Sequence, residues 1–520
     1  MRRFNTTGLC VPRKHYMVDI SDRVARMRSM VDAGDYFCVN RARQYGKTTT
    51  LSALKRVLAG DYSVAGLDFQ ALSHADFADE AAFARSFASI LLDTEELGQI
   101  ELPSEAERAL EGLAEASAPT LTGLFRALRR WIRTSKRPVV LVIDEVDSAN
   151  NNQVFLDFLA QLRLAYLSRE DDPSYPAFQS VVLAGVTDVK HLKAKIRPDE
   201  ASKVNSPWNI AADFDVDMSF SATDVAGMLA DYEADHATGM DVAAVAKEIA
   251  DWTGGYPFLV SRLCQLVDER GLGWDHAGVD AAVRLLLADD DVALFESLMG
   301  QLENRPELKD RLRRVIMLGE EIDYSPYDET QKLLRMYGFA TVRGSKLTVA
   351  NRVFETLLCD YFLAEERGGE VRDAAIVRRS RFVSDGRLDM RAVLEGFRRT
   401  YGEVFGPLVD RFPEKDGREL FLLYLKPIIN GTGNYYIEAQ TRDQTRTDVV
   451  VDYAGERFVV ELKVWRGPRY NEEGEAQLRG YLDHFGLDVG YMLSFNFNKR
   501  KEPGLRRVPV GDKILWEETI

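Results

Sequence analysis

The fold is decided by one stretch of the sequence, Tyr36-Phe37-Cys38-Val39-Asn40-Arg41-Ala42-Arg43-Gln44-Tyr45-Gly46-Lys47-Thr48-Thr49. Its apolar beginning predicts a β-strand over 36–40, and apolar residues that recur every three or four positions predict a helix over 49–58. The loop between them places backbone N–H groups at the start of a helix, where phosphate groups bind. Lys47 supplies a cation for the terminal phosphates and Thr48 a hydroxyl for Mg²⁺, so the stretch predicts a nucleotide site.

The loop departs from the general pattern G-x-x-x-x-G-K-[ST], because Arg41 stands where the first glycine is expected. Taken alone, it is equally compatible with a basic turn that opens an amphipathic helix. A second motif supports the nucleotide site, since the apolar run Val140–Ile143 leads into Asp144 and Glu145, as in a Walker-B strand. There the first carboxylate holds the Mg²⁺ water shell and the second orients the attacking water. The two motifs together predict a site for ATP with Mg²⁺.

The first 220 residues predict an α/β fold. The apolar runs over 139–143 and 181–186 are rich in β-branched residues, as in parallel strands that are covered on both faces. Apolar residues that recur with helical spacing over 121–132 and 154–167 predict helices before and between these two strands. Strands that alternate with helices predict a parallel sheet between helical layers, over residues 1–220.

The rest of the chain predicts further domains. Helical spacing over 221–288, with a Gly-Gly-Tyr-Pro break, predicts a helical lid. Short helices followed by a glycine-turned hairpin predict a winged helix over 289–365. A charged segment with paired glycines predicts a linker over 366–384, and a further α/β domain is predicted over 385–520.

The N-terminal motifs carry a family resemblance. The loop resembles that of the bacterial and archaeal AAA-ATPase-like family, in which an arginine also takes the place of the first glycine. Four further segments carry the same resemblance over about residues 1–365: Phe4–Gly8, His15–Asp19, Ser206–Ile210 and Gly254–Leu259. It implies a parallel-sheet P-loop AAA-type ATPase with a helical lid and a winged helix. The ATP-binding residues that it implies are Arg41, Ala42, Arg43, Gln44, Tyr45, Gly46, Lys47, Thr48, Thr49 and Asp144.

The resemblance also implies residues that respond to the γ-phosphate. Thr187 follows the third predicted strand, at the position where related ATPases have a polar residue that senses this phosphate. The Gly-Tyr-Pro turn resembles the lid motif that lies over the nucleotide. Arg43, Arg197 and Arg262 are candidates for an arginine finger, and a surface or structural role is the alternative for each of them.

A second set of polar residues lies in the C-terminal segment, where the apolar patterns predict the element order α-β-β-β-α-β. Asp448 begins one predicted strand, and Glu461 and Lys463 share a face of the next strand because side chains alternate with period two. A hairpin of these strands brings both carboxylates together. Metal-dependent nucleases use such carboxylates to hold Mg²⁺ and a lysine to orient or deprotonate the attacking water.

This constellation resembles the PD-(D/E)XK nuclease superfamily, in the branch with a helical Glu, an isolated Asp, E-x-K and Q-x-x-x-Y. The resemblance implies an α/β restriction-endonuclease-like domain in which Asp448 and Glu461 are metal ligands and Lys463 is the catalytic lysine. Thr447 stands where many members have proline before the aspartate. The remaining site residues that the resemblance implies lie on the two predicted helices: Glu419, Gln477 and Tyr481.

Two alternatives to an active nuclease remain open at this point. The hairpin charges of Glu461 and Lys463 are also compatible with ion pairs that serve solubility. The domain is also compatible with a nuclease fold that has lost its activity. Basic residues that are candidates to line a phosphate groove, or to form a solvated face, are Arg466, Arg469, Arg479, Lys499, Arg500 and Lys501.

Composition narrows the class of protein. The net charge of −15 argues against a protein that coats nucleic acid nonspecifically, although from Arg379 to the end 23 basic residues balance 23 acidic ones. The N-terminal residues do not form the apolar stretch of a signal peptide, and no run of about 18 apolar residues occurs, so a cytoplasmic protein without membrane contact is expected. The 4 cysteines lie far apart, which favours buried thiols over a disulfide framework or a zinc site.

The leading hypothesis is an ATP-controlled, Mg²⁺-dependent nuclease that acts on nucleic acid, with DNA favoured over RNA. The alternative is a nucleotide-switched interaction protein or DNA-binding ATPase, which associates with itself in response to nucleotide and whose nuclease-like domain is inactive. A mobile-element ATPase that binds DNA through its winged helix is a third hypothesis. Many winged helices on ATPases bind only protein.

Overall fold

The computed structural model describes residues 2–149, 152–186, 208–289, 291–317, 320–366, 382–384, 387–404, 414–429, 433–436, 449–465, 468–497 and 502–520. The described chain divides into two compact units. The first unit comprises Met1–Ala250, Gly255–Arg270 and Met336–Gly338, and the second comprises Asp251–Gly254, Gly271–Arg335 and Phe339–Ile520. Among the described residues, no helix is long and apolar enough to span a membrane.

The first unit is built on a parallel sheet with the strand order β1-β4-β3-β2. Its strands are β1 (Tyr36–Asn40), β2 (Ser63–Asp68), β3 (Val139–Asp144) and β4 (Ser180–Gly185). Its helices are α1 (Ser21–Ala33), α2 (Lys47–Leu58), α3 (Glu80–Glu96), α4 (Ser104–Glu115), α5 (Leu121–Thr134), α6 (Gln153–Asp171), α7 (Ala222–His236), α8 (Val242–Thr253, which continues into the second unit) and α9 (Pro257–Glu269). The predicted parallel sheet and the three predicted strands are confirmed.

Alternating side chains bury the sheet on both faces, as the apolar runs predict. Tyr36, Leu141 and Leu183 belong to one apolar core, which the helices α3, α5 and α6 complete. Phe37 and Val142 belong to the other core, which α1 and α2 complete. Because both faces are filled, the strand ends are where polar groups reach a surface, and β1 and β3 both end at motif residues.

The helices α7 and α9 lie at the end of the sheet that carries the loop after β1, and both line the same cavity as this loop. Before α9, Gly255 has a φ of +72°, and a Cβ at this position would lie 2.1 Å from the carbonyl oxygen of Phe220. Only glycine fits such an approach. The N-terminal segment is tied to α7, since the hydroxyl of Tyr16 donates to Asp235 Oδ2 at 2.9 Å.

The second unit begins with helices and a small antiparallel sheet in the order β5-β7-β6. Its strands are β5 (Ile322–Asp323), β6 (Ala340–Arg343) and β7 (Lys346–Val349), and its helices are α10 (His276–Leu287), α11 (Ala293–Glu303), α12 (Pro306–Ile316), α13 (Glu329–Met336) and α14 (Arg352–Glu366). The pairing of Thr341 with Thr348 confirms the predicted hairpin. The assignment of this region as a winged helix stays a prediction.

The C-terminal part of the second unit forms a mixed sheet in the order β10-β11-β12-β13-β15-β14. Its elements are β8 (Val383–Ser384), β9 (Arg387–Leu388), α15 (Met390–Val404), α16 (Glu414–Ile429), β10 (Gly433–Tyr436), β11 (Val449–Tyr453), β12 (Glu456–Val464), α17 (Pro468–Phe485), β13 (Val489–Phe495), β14 (Gly504–Val510) and β15 (Lys513–Thr519). The predicted order α-β-β-β-α-β is present, and the structure adds β14 and β15 after it.

Candidate functional site

The loop between β1 and α2 ends at a glycine that directly precedes the helix. Gly46 adopts a left-handed conformation with a φ of +79° and precedes the first turn of α2, and no side chain caps this helix among the described residues. The first N–H groups of a helix have no partner within it. Gly46, Lys47, Thr48 and Thr49 all line a cavity of about 470 Å³. The loop therefore presents a helix N-terminus to this cavity, the arrangement that binds phosphate.

Lys47 is buried, with 6% of its surface exposed, and it folds back over the loop. Its Nζ donates to the carbonyl oxygens of Arg41 and Ala42, each at 3.0 Å. Burial lowers the pKa of Lys47, while the carboxylates of Glu145 and other nearby acids raise it. The structure thus places a desolvated ammonium group inside the loop, where it is close to any phosphate bound there.

Arg41, which stands where the first glycine of the general pattern is expected, attaches the start of the loop to other elements. Its backbone N–H donates to Gly185 O at 3.2 Å, and its Nη2 donates to Val216 O at 2.6 Å. Its guanidinium also lies 5.2 Å from the ring centroid of Phe214. The arginine therefore ties the start of the loop to the end of β4 and to the 214–216 segment, a contact set that no local sequence pattern indicates.

The end of β3 completes the site. Thr48 Oγ1 donates to Asp144 Oδ2 at 2.9 Å, so the hydroxyl and the carboxylate from the two motifs meet. Oxygen donors of this kind are the ligands that Mg²⁺ prefers, and the pair fits that ion. Glu145 follows in a left-handed conformation with a φ of +52°. Burial raises the pKa of Glu145, while the ammonium of Lys47 acts in the opposite direction.

A third carboxylate next to this site, Asp147, is one that the sequence motifs do not indicate. Its Oδ2 accepts a hydrogen bond from the backbone N–H of Val186 at 2.5 Å, and its charge acts on Lys47. The contact joins the loop after β3 to the end of β4. Asp147 therefore helps to fix the position of the acidic pair, and the only sign of it in the sequence is a third acid, three residues after Asp144.

The N-terminal segment forms one wall of the cavity. Asn5, Thr6, Thr7 and Gly8 line it, and the backbone N–H of Cys10 donates to Thr49 Oγ1 at 3.2 Å. The segment is therefore in direct contact with the first turn of α2. The family resemblance includes this segment, but the composition and spacing of its residues alone do not indicate a chemical role.

The Gly-Tyr-Pro turn forms another wall. The hydroxyl of Tyr256 donates to the carbonyl oxygen of Arg43, and the rings of Tyr45 and Tyr256 meet edge to face with centroids 4.6 Å apart. Burial raises the pKa of Tyr256. Pro257 and Phe258 at the start of α9 line the cavity. The turn is thus attached directly to the phosphate loop.

The remaining candidates from the sequence are placed as follows. Thr187 and Arg197 lie outside the described residues. Arg43 is exposed, and Arg262 on α9 donates to Gln265 Oε1 at 2.9 Å. The contacts that the structure describes for the two arginines do not identify either of them as an arginine finger.

In the second unit, Glu461 and Lys463 lie on one face of β12, as predicted. Lys463 Nζ is 2.9 Å from Glu461 Oε1, and the glutamate side chain is fully buried. Helix α17 covers this face, because a Cβ at Gly474 would lie 3.3 Å from Lys463 Cε. Tyr481 on the same helix is buried with 1% of its surface exposed. A buried carboxylate beside an ammonium group suits a Mg²⁺ ligand next to a catalytic lysine.

Three predicted residues of this second site are only partly placed or not placed. Asp448 lies outside the described residues; it directly precedes Val449, which pairs with Val460 next to Glu461. Glu419 lies on α16 and Gln477 on α17, and the side chains of both are outside the described part of the structure. The E-x-K pair and Tyr481 are therefore the residues of the predicted site whose side chains the structure describes.

Comparison with known families gives two matches. Residues 15–362 match the family model of the AAA-like domain. Residues 434–508 match the model of the PD-(D/E)XK nuclease superfamily. The first match covers the phosphate loop and the Walker-B strand, and the second covers Asp448, Glu461, Lys463, Gln477 and Tyr481.

Individual relatives are distant. An uncharacterized WD repeat-containing protein of Synechocystis is 25% identical over 267 residues, which are 46% of this chain and 21% of that protein. The match thus spans about a fifth of the relative's length. Among solved structures, the Walker-type ATPase of Pyrococcus abyssi is 14% identical, with a TM-score of 0.47, over 68% of this chain and 99% of the other. The ORC2 protein of Aeropyrum pernix is 14% identical, with a TM-score of 0.34, over 70% of this chain and 98% of the other.

Proposed function

The chain belongs to the AAA-like family, and from that premise we propose that it binds and hydrolyses ATP in order to regulate Mg²⁺-dependent cleavage of nucleic acid by its C-terminal domain. The single observation that carries the proposal is the presence of two separate polar sites. One joins Thr48 to Asp144 beside Lys47, and the other joins Glu461 to Lys463.

The ATPase role rests on the contacts around the phosphate loop. The N-terminus of α2 and the Lys47 ammonium would bind the phosphates, and Thr48 and Asp144 would hold Mg²⁺. That ion would neutralise charge on the phosphate oxygens. Glu145 directly follows Asp144 and lines the same cavity as the phosphate loop, so its carboxylate would orient the attacking water.

The nuclease role rests on the E-x-K pair. Glu461, together with Asp448, would hold Mg²⁺ beside the scissile phosphate, and Lys463 would orient or deprotonate the attacking water. Glu419, Gln477 and Tyr481 would support this site from the flanking helices. The balanced charge of the C-terminal segment is compatible with a polyanionic substrate, for which we favour DNA over RNA.

The test is a cleavage assay with purified protein on single-stranded DNA, duplex DNA and RNA, each with Mg²⁺ and with EDTA. Wild-type protein is expected to release product only with Mg²⁺. Lys463→Ala is expected to reduce product at least about a hundredfold, the usual range for loss of a proton-transferring group. Equal product from wild type and Lys463→Ala would reject the nuclease role.

The burial of Glu461 favours a second candidate function. The carboxylate of Glu461 has no exposed surface and is already paired with Lys463. A purely structural ion pair has the same features. In that case the protein would be a nucleotide-switched interaction or DNA-binding ATPase with an inactive nuclease-like domain. It would show nucleotide-dependent self-association or DNA binding, without cleavage of any substrate.

A further inference from the structure

The C-terminal sheet carries a row of polar side chains that extends beyond the E-x-K pair. Glu461 on β12 is paired with Met492 on β13. Met492 is paired with Glu517 on β15, and Glu517 is paired with Arg506 on β14. Side chains at level positions of neighbouring strands point to the same face of a sheet. Arg506 therefore shares a face with Glu461 and Lys463.

The row lies at one edge of the sheet. Lys463 and Ser494 are level with each other, one residue from the ends of the parallel strands β12 and β13. Strand β14 runs antiparallel to β15, so Arg506 near its beginning reaches the same edge. In sheets with parallel strands, ligands bind in the crevice outside the carboxyl ends of the strands.

Arg506 is held in place by a buried acid. Arg506 Nε donates to Glu517 Oε2 at 2.7 Å, and the hydroxyl of Ser494 donates to Glu517 Oε1 at 2.6 Å. The side chain of Glu517 is 1% exposed and that of Arg506 is 57% exposed. The buried carboxylate thus fixes one side of the guanidinium, while more than half of the arginine faces solvent.

The exposed side of the Arg506 guanidinium carries N–H donors that do not bond to Glu517. The contacts with Glu517 use Nε and Nη2, and no hydrogen-bond partner of Nη1 lies among the described residues. Guanidinium groups form paired hydrogen bonds with phosphate oxygens, and one that is already oriented loses little freedom when it does so.

We propose that Arg506 binds a backbone phosphate of the nucleic acid, and that Glu517 and Ser494 are positioning residues for it. This inference rests on the proposed nuclease function. Three strand spacings separate β12 from β14, which is about 14 Å, or about four base-pair steps of a DNA duplex. Arg506 therefore contacts the substrate a few nucleotides away from the bond that faces Glu461 and Lys463.

The experiment measures binding of a short fluorescent DNA duplex by the full chain, as anisotropy over a series of salt concentrations. All proteins carry Lys463→Ala so that the duplex stays intact. The test variant is Arg506→Gln combined with Glu517→Gln, because the double change leaves no unpaired buried charge. The control is Arg507→Gln, since Arg507 is exposed and points to the opposite face of β14.

The double variant is expected to bind about tenfold more weakly, the effect of losing one hydrogen bond to a charged group. The slope of log K against log salt is expected to fall by about 1, because one phosphate contact is lost. Arg507→Gln is expected to change neither quantity. The variant Arg506→Lys, which keeps the charge, is expected to keep most of the slope.

Two results would overturn the assignment, and they are distinguishable. If the parent protein binds the duplex and the double variant has the same slope and affinity, Arg506 is not a phosphate contact. If the parent protein binds no duplex at all, the proposed action on DNA fails, and the role of Arg506 fails with it. Thermal unfolding of each variant shows whether a loss of binding reflects a loss of folding.

Discussion

At the residue scale, Lys47 is a cation that the first unit buries. It is buried and its ammonium is bonded only to two carbonyl oxygens of its own loop among the contacts that the structure describes. Carbonyl oxygens compensate a buried cation less well than an anion does. A bound triphosphate would supply that anion, which makes this lysine the natural first residue to change.

We predict that Lys47→Ala abolishes binding of ATP with Mg²⁺, measured by titration calorimetry. Lys55→Ala is the matched control, because Lys55 lies on the same helix α2 but does not line the cavity. It should bind ATP as wild type does. Tight binding of ATP by the Lys47 variant would count decisively against the loop as the nucleotide site.

Glu145 leads to a prediction about pH. Burial raises its pKa from the ordinary value of 4.5, and the carboxylate must be ionised to orient water. ATP hydrolysis should therefore fall as the pH is lowered through this raised pKa, so the loss begins at a higher pH than for an ordinary glutamate. The measurement is the rate at saturating ATP over a pH series, with circular dichroism to confirm that the protein stays folded.

Glu145→Gln provides the control for that experiment. It should still bind ATP, since Thr48 and Asp144 are unchanged, but it should hydrolyse ATP about a hundredfold more slowly or worse. An acid limb at or below pH 4.5 in the wild type, or unchanged hydrolysis by the glutamine variant, would contradict the role of Glu145.

At the scale of elements, the turn before α9 is sensitive to a single added methyl group. We predict that Gly255→Ala destabilises the first unit by at least about 2 kcal/mol, because the added Cβ meets the Phe220 carbonyl and the backbone is left-handed. Calorimetric unfolding of the full chain checks this. Gly227→Ala in α7, where a Cβ meets nothing within 4 Å, should be neutral or slightly stabilising. Equal transitions for the two variants would contradict the prediction.

The elements also show where sequence patterns fail. Strand β15 ends in Glu517, Glu518 and Thr519, which a periodicity argument takes for an exposed end, yet both glutamates are buried. Arg506 satisfies Glu517 and Arg398 lies 2.6 Å from Glu518. Burial of these charges depends on partners from other elements, so hydrophobic spacing within the strand cannot indicate it. Strand β2 was not predicted from the sequence either, for a different reason, because Gly66 interrupts the apolar pattern within the strand.

At the scale of the whole molecule, the proposal connects two chemistries on one chain. We predict that ATP changes the rate of DNA cleavage by wild-type protein severalfold, because nucleotide binding is proposed to control the nuclease domain. Lys47→Ala should cleave at a rate that no longer responds to ATP. Lys55→Ala should respond as wild type does. Identical cleavage with and without ATP in all three proteins would show that the two sites are independent.

The local parts of this protein follow from its sequence alone. The strand, loop and helix around Gly46-Lys47-Thr48, the apolar strand before Asp144 and the common face of Glu461 and Lys463 all follow from spacing within a single turn or strand. Both families were indicated by such motifs, and both matches confirm them.

Which distant groups complete the sites follows only from the packing of the elements against one another. The hydrogen bond from Tyr256 to Arg43, the contact of Cys10 with Thr49 and the hydrogen bonds of Glu517 with Ser494 and Arg506 join residues from different elements. Such contacts arise when packed elements bring their side chains together, and periodicity reports only on neighbours within one element. Arg41 is an example of both. The sequence shows that it replaces the expected glycine, and the structure shows that it attaches the phosphate loop to β4 and to Val216.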